Sequence, residues 1–197
     1  MAKRRSTMAH TARETRLRWL NRTEASQIIE FALTLPLLLV FVVGIGDFGS
    51  AIVLKQKLNA AAREGARFAA NEPTSDLTSL APSPPSVDTV VKLIGTYLQA
   101  ARLNDCGLAS GTWTLNPKPG PVAWSYTGTN CPLTVIVDRG SPVEAPATSG
   151  RWLINSQVSI SYPYQWQFYK VIGLIVSGPN YPSSSQITAN AALPNLI

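Results

Sequence analysis

Histidine and cysteine are nearly absent from this chain. The single histidine, His10, lies in the amino-terminal tail, and the two cysteines, Cys106 and Cys131, are too far apart for a CxxC redox or zinc motif. Without histidine, the rest of the chain cannot build a Ser-His-Asp triad or a histidine-containing metal site. We therefore predict that the protein is not an enzyme, has no catalytic residues and holds no metal or other cofactor.

Charged residues are also scarce. They make up 14% of the chain, against 45% hydrophobic residues, whereas about 25% is usual in soluble domains. Residues 1–25 hold seven of the 17 basic residues and two of the 11 acidic ones, so their net charge is +5 and the remainder carries only +1 of the total of +6. This distribution predicts that part of the chain is solvated by lipid.

The basic tail stops where an apolar run begins. Its cations are Lys3, Arg4, Arg5, Arg13, Arg16, Arg18 and Arg22. A basic tail can bind nucleic acid, but one that ends at an apolar run is typical of a segment retained in the cytoplasm. We predict retention in the cytoplasm and expect no nucleic-acid partner.

Residues 26–54 form the apolar run, and their only charged residues are Glu30 and Asp47. As a helix these 29 residues extend about 44 Å, which exceeds the roughly 30 Å of a hydrocarbon core. The run predicts a single membrane span. Pro36 is tolerable inside it, because neighbouring helices can satisfy the carbonyl group that proline leaves without a donor.

Gly44, Gly46 and Gly49 match the dinucleotide-binding pattern GxGxxG. That fingerprint needs further βαβ units, whereas the sequence after residue 71 is rich in proline and then strand-like. We therefore expect the glycines to form a narrow helix face for another membrane helix, and we expect no small-molecule substrate.

Residues 55–70 continue the same helix into water, with Ala61, Gly65 and Ala69 recurring every four residues. This seam of small residues either allows close helix packing or reflects only the helix propensity of alanine. Both interpretations stay open at this stage. Asn71 and Pro73 end the helix, and a linker rich in proline and serine follows over residues 71–86.

The remaining chain, residues 87–197, predicts an α+β domain with one amphipathic helix on a small antiparallel sheet. The helix covers residues 87–103, and short strands cover residues 111–115, 133–137 and 186–193. The clearest strand pattern is in residues 152–168, whose even-numbered positions are mostly apolar. Pro163 argues for a sheet edge or a bulge there, so this run can be two elements.

Five aromatic residues end that run: Tyr162, Tyr164, Trp166, Phe168 and Tyr169. They suit a buried sheet face, a carbohydrate platform or an aromatic belt at a membrane interface. Burial is the interpretation we favour.

Two segments of the sequence resemble the amino-terminal signature of TadE-like pseudopilins from tight-adherence (Flp-type) pilus systems. They are EASQIIEFALTLP at residues 24–36 and AAAREGARFAA at residues 60–70. A weaker similarity to the late strands of the family lies in VSISYPY at residues 158–164 and SQITA at residues 185–189.

The resemblance implies that a prepilin peptidase removes the basic leader on the cytoplasmic side and leaves a glutamate as the fifth residue of the mature chain. Counting back from Glu30 places the cut between Ala25 and Ser26. The sequence departs from the family pattern at Ala25, where glycine is usual. Glu30 and Phe31 would then set the register of assembly with other pilus subunits, and the alternative is a glutamate that only stays wet at the interface.

The predicted protein is thus a structural or assembly component of a tight-adherence pilus. It crosses the inner membrane once, with its amino terminus in the cytoplasm and its carboxyl-terminal domain outside. Outside the cytoplasm, Cys106 and Cys131 can form a disulfide bond, although two unrelated thiols are the alternative. The competing functional hypothesis is an uncleaved, membrane-anchored domain that binds a ligand such as a glycan through its aromatic residues.

Overall fold

Two helices and five strands make up the computed structural model of the protein, which describes residues 24–78, 82–144, 152–167, 169 and 183–195. The helices are α1 (Glu24–Asn71) and α2 (Pro85–Ala100), and the strands are β1 (Trp113–Leu115), β2 (Ala123–Gly128), β3 (Thr134–Glu144), β4 (Trp152–Gln165) and β5 (Ser184–Pro194). The predicted α+β class is confirmed. The basic tail before residue 24, His10 and Phe168 lie outside the described residues.

All five strands form one sheet, in which each strand pairs antiparallel with the next strand along the chain. The chain divides into two units, one of residues 1–47 with 167–180 and one of residues 48–166 with 181–197. We call the second unit the head. The helix α1 contributes residues to both units.

The core of the head lies between one face of the sheet and two helical segments. The helices contribute Leu54, Leu58, Ala61, Ala62, Ala66 and Ala69 from α1 and Val87, Val90, Val91, Ile94 and Leu98 from α2. The sheet contributes mainly Trp124, Tyr126, Val135, Val137, Val158, Ile160 and Ala189. We expected residues 55–70 to run through water, but the structure packs one side of them into this core. Their burial depends on α2 and β4, which are distant in sequence.

The helix α2 begins two residues before the predicted position, at Pro85. Proline suits the first turn of a helix, because an amide hydrogen there has no partner within the helix. The apolar positions that we used for the prediction, such as Val87 and Ile94, are fully buried.

The strand β4 is a single element, so the suggestion that Pro163 divides it is wrong. Pro163 pairs with Gln186 of β5, whereas the last residue of β4 that pairs with β3 is Ser161. Beyond Ser161, one side of β4 has no neighbouring strand among the described residues. A proline there removes no ladder hydrogen bond on that side.

The strand β2 was not predicted. Five of its six residues are buried, so it shows no alternation of polar and apolar side chains, and it contains the serine and threonine of the sequence AWSYTG. Periodicity detects strands with one solvated face, and β2 lacks one. The strand β3 also extends past the predicted residue 137, through an irregularity between Asp138 and Ser141.

Candidate assembly interface

Residues 26–47 of α1 belong to the first unit, and most of them are apolar and exposed. Leu33 and Ile45 are 71% and 73% exposed, and no residue of the most hydrophobic window of α1 is buried. Within the described residues, α1 is the one helix long and apolar enough to cross a membrane. Water solvates such a surface poorly, which is consistent with a segment that lipid or other helices cover. We call residues 26–47 the apolar half of α1.

Glu30 and Phe31 lie in the second turn of α1, and both are exposed. The hydroxyl group of Thr34 donates hydrogen bonds to the backbone carbonyl groups of Glu30, at 2.9 Å, and Phe31, at 3.3 Å. These bonds occupy backbone groups only, and they leave the side chain of Glu30 exposed. A role for Glu30 and Phe31 in assembly register stays a prediction.

Pro36 lies inside α1 without ending it. Proline has no amide hydrogen, so it cannot donate to the carbonyl group of Ala32 one turn earlier. The helix nevertheless continues for another 35 residues to Asn71. The backbone position where proline removes this bond therefore lies within the exposed apolar half of α1.

Three glycines follow in the apolar stretch, and they differ in their surroundings. Gly44 is buried, whereas a side chain added at Gly46 or Gly49 would find open space. Open space beside a glycine permits another helix to approach closely. Gly46 and Gly49 therefore remain candidates for the narrow helix face that we predicted for contact with another membrane helix.

Ala61, Gly65 and Ala69 are buried inside the head. A methyl group added at Gly65 would lie 2.9 Å from Cδ1 of Ile94 and 3.6 Å from Cγ1 of Val158. The helix α1 thus approaches the Ile94 side chain of α2 so closely that a larger residue at position 65 would force that side chain to shift. The small-residue seam packs against the chain's own second helix.

Arg139 of β3 links the carboxyl end of α1 to the sheet through hydrogen bonds. Its side chain is 2% exposed, its Nη2 donates to the backbone carbonyl of Glu72 at 2.7 Å, and its Nε donates to Oγ of Ser156 at 3.1 Å. The Ser156 hydroxyl donates in turn to Oδ1 of Asn195 at 2.7 Å. Burial lowers the pKa of Arg139, while the nearby charges of Asp76 and Glu72 oppose that shift.

Sequence reasoning missed Arg139. In the sequence, Arg139 is only a lone arginine after the apolar residues of β3. A charged side chain in such a position usually faces solvent. Two lysines of α1 add further links, since Lys57 Nζ donates to the carbonyl of Ala101 at 2.8 Å and Lys55 Nζ donates to that of Thr188. Within the head, these hydrogen bonds connect the second part of α1 to the rest of the domain at several points along its length.

Tyr126 of β2 links the sheet to the start of α2. Its hydroxyl donates to the Asp88 carboxylate at 3.1 Å and lies 2.5 Å from the Ser83 hydroxyl. Burial raises the pKa of Tyr126 well above its ordinary value; the Ser83 hydrogen bond opposes the shift and the Asp88 charge adds to it. A neutral phenol is therefore part of the folded head.

A disulfide bond joins Cys106 to Cys131, whose Cα atoms are 5.3 Å apart. Cys106 has a positive φ of 55°. A Cβ atom added at Gly128 would lie only 2.5 Å from the Cβ atom of Cys106. The disulfide bond connects the segment after α2 with the segment that leads into β3. It closes a loop that contains β1 and β2.

The aromatic residues at the end of β4 pack on one another. The rings of Tyr164 and Trp166 meet edge to face at 4.9 Å, and Trp166 lies 5.5 Å from Phe48 of α1. The indole Nε1 of Trp166 donates to Oγ of Ser185 at 2.8 Å. These contacts cover part of each ring, and Tyr164 and Trp166 are half-buried. Tyr162 is half-buried, and burial raises its pKa.

The fold and the site together define a class: an α+β domain that includes the second part of a long helix, whose first part is exposed, apolar and consistent with a single-pass membrane anchor. Residues 25–67 match the model of the TadE-like protein family, and that family is structural, not enzymatic. The match supports a component associated with a tight-adherence pilus.

The match covers about a fifth of the chain, from the end of the basic tail to the small-residue seam, and none of the sheet. No curated protein and no solved structure matches the chain.

Proposed function

We propose that the protein is a TadE-like pseudopilin that acts as a structural or assembly component of a tight-adherence pilus. The apolar half of α1 anchors it in the inner membrane and later packs with other pilus subunits. The observation that carries this proposal is the exposed apolar surface over residues 26–47, which lies inside the segment that matches the family.

Processing by a prepilin peptidase is the second part of the proposal. Cleavage between Ala25 and Ser26 would remove all seven basic residues that precede the span and create a new ammonium group on Ser26. Glu30 lies four residues later, one helical turn away, where its carboxylate can pair with that ammonium or with that of a neighbouring subunit. Such pairing matters because an uncompensated carboxylate costs about 2.5–3.5 kcal/mol at the centre of a membrane.

The orientation follows from the distribution of basic residues. Seven lie before the apolar half of α1, and cytoplasmic flanks carry the excess of lysine and arginine. The first cations after it, Lys55 and Lys57, donate to backbone carbonyl groups of the head. The amino terminus is then cytoplasmic and the head is outside, in a compartment where a disulfide bond persists.

Mass spectrometry of the mature amino terminus tests this function. The protein is expressed with and without a prepilin peptidase, and we expect a chain that begins at Ser26 only when the peptidase is present. The matched variants are Ala25→Gly, which restores the usual residue and should be processed at least as fully, and Ala25→Leu, which should block the cut. An intact leader in every case, or a chain that begins at Ile52 after conventional signal cleavage, would refute the proposal.

Topology has its own measurement. Thiol alkylation of intact cells should label Cys106 and Cys131 only after reduction, and a tag after residue 197 should be digested by external protease in spheroplasts. Labelling without reductant contradicts the oxidised state, and a protected tag contradicts the orientation.

A further inference from the structure

The apolar surface of α1 does not stop at the boundary of the head. Phe48 and Ile52, one turn apart on the same side of the helix, are 62% and 58% exposed although they belong to the head. Val53 is exposed as well, and the run ends at Lys55. The head therefore carries exposed apolar surface of its own on the segment of α1 nearest the proposed span.

Aromatic side chains from the sheet join this surface. Trp166 contacts Phe48, and Tyr164 contacts Trp166. Phe48 and Trp166 are also residues at which the chain enters and leaves the head. We call Phe48, Ile52, Tyr164 and Trp166 the aromatic patch.

We propose that the aromatic patch seats the head in the headgroup layer of the outer leaflet, in contact with the boundary between headgroups and acyl chains. This inference rests on the proposed function, because it requires the apolar half of α1 to span the membrane. The occupant of the patch is lipid. A helix from a neighbouring subunit is the alternative that the experiment must separate.

The length of the helix supports lipid as the occupant. A hydrocarbon core of about 30 Å takes roughly 20 helical residues, so a core that begins at Phe31, directly after Glu30, ends near Ser50. The whole run of residues 26–54 extends about 44 Å, which matches the 40–45 Å of a bilayer that includes its headgroups. Phe48 and Ile52 then lie on either side of the outer boundary of the hydrocarbon core.

The chemistry of the patch fits the same depth. Tryptophan, tyrosine and phenylalanine rings are favoured where an apolar layer meets a polar one. The indole N–H of Trp166 is already satisfied by Ser185, so its ring can enter the boundary without an unpaired donor. Lys55 follows Ile52 by three residues, and a lysine at the end of a span marks the level of the phosphates.

Quenching of tryptophan fluorescence by brominated lipids tests the inference. The full-length protein is reconstituted at low density in vesicles of phosphatidylcholine and phosphatidylglycerol, with bromine either near the headgroups or near the chain ends. When the shallow bromine is in the outer leaflet, it should quench part of the tryptophan fluorescence of the wild type. We expect Trp166→Phe to lose most of this quenching. The matched control is Trp113→Phe on β1, the edge strand on the far side of the sheet from β4, which should raise the quenched share of the remaining signal.

Two further variants keep the test decisive. Ile52→Trp, in the otherwise unchanged chain, should add shallow quenching, and this result does not depend on how well Trp166→Phe folds. Phe41→Trp, in the middle of the apolar half, should be quenched by the deep bromine.

The outcomes separate the inference from the proposed function. If Phe41→Trp is quenched by the deep bromine but neither Trp166 nor Ile52→Trp is quenched by the shallow one, the span stands and the aromatic patch does not touch lipid. Equal quenching of Trp166 by both bromines would place it too deep and would also overturn the inference. If Phe41→Trp escapes quenching, both the inference and the proposed span are wrong.

Discussion

The two parts of α1 bury apolar surface in different ways. Residues 26–47 carry large side chains such as Leu33 and Ile45, and these are exposed. From residue 54 onward the helix turns Leu58 and a seam of small residues inward, and these are fully buried in the head. The first part is far more hydrophobic than the second, yet it is the second that forms a core.

This contrast shows that hydrophobicity and burial are separate properties of a helix. Alanine and glycine bury little area each, but they allow α1 to approach α2 so closely that Gly65 meets Ile94. The large side chains of the apolar half stay exposed, as is consistent with an anchor that lipid or other helices surround. Changes in the head should therefore alter its unfolding, and changes in the apolar half should alter only association with membrane and partners.

The largest effect that we expect comes from the disulfide bond. Removing it through Cys106→Ser with Cys131→Ser should lower the unfolding free energy of the head by about 3.5 kcal/mol, because the bond closes a loop with a sequence separation of 25 and so restricts the unfolded chain. Denaturant unfolding in detergent, with and without reductant, measures this. Membrane extraction of the same variant should match that of the wild type, and reductant without effect on the wild type would contradict the prediction.

Arg139 should have the next largest effect. Arg139→Ala leaves the Glu72 carbonyl and the Ser156 hydroxyl without this donor and opens a cavity, so we expect a loss of about 3 kcal/mol. Arg139→Met keeps much of the volume and removes a charge that is costly to bury, so it should lose less than half as much. Thermal unfolding of both variants gives the comparison, and equal losses would show that the cavity contributes nothing beyond the lost guanidinium contacts.

Tyr126 predicts a pH dependence of the head. Its folded-state pKa is raised above the ordinary value of 10.0, so the stability that it contributes is complete below about pH 10 and is lost as the pH rises above that value. The loss is at most about 1.4 kcal/mol per pH unit. Unfolding free energies near pH 9 and pH 11 should fall more steeply for the wild type than for Tyr126→Phe. Identical slopes would mean that the phenol does not carry the effect.

Gly65 and Gly49 compare two positions on the same helix. Gly65→Ala gains helix propensity of about 1 kcal/mol, but its methyl group meets Ile94 at 2.9 Å and overpacking costs about 1–3 kcal/mol. We expect a net loss of about 1 kcal/mol for Gly65→Ala and no loss for Gly49→Ala, where a side chain finds open space. Thermal unfolding of the head measures both variants, and a stabilised Gly65→Ala would refute the close packing.

Glu30 should have the smallest effect on the head. Glu30→Ala removes a charge from the apolar half, so the unfolding free energy of the head should stay within about 0.5 kcal/mol of the wild type. Its expected consequence is reduced recovery of the protein with other pilus components, and Glu30→Asp serves as the charge-conserving control. Equal co-purification of wild type and Glu30→Ala would count against a role in assembly register.

Sequence analysis located well the long apolar run and the elements that have one solvated face. The apolar run and α2 have strong patterns, because each places a long, continuous hydrophobic surface on a helix. The strand β4 alternates because only one of its faces lies in the core. The strand β2 escaped notice, because burial of Trp124, Ser125 and Tyr126 together erases alternation.

Arg139 shows the limit for the candidate site. A charged residue in a strand suggests solvent, and the sequence holds no sign that the carbonyl of Glu72 and the hydroxyl of Ser156 converge on it. These partners lie 67 and 17 residues away along the chain. Only the folded arrangement of α1, β3 and β4 turns this arginine into a link between them.

The sequence by itself determined the length and hydrophobicity of the apolar run, the α+β class and the resemblance to a pilus family, because these depend on residue type and local spacing. Only the tertiary structure decided that the head begins at Phe48 inside α1, and that Ala61, Gly65 and Ala69 pack within the chain. The reason is physical: alanine and glycine favour no particular neighbour, so their burial depends on the side chains of α2 and β4 that fold against them.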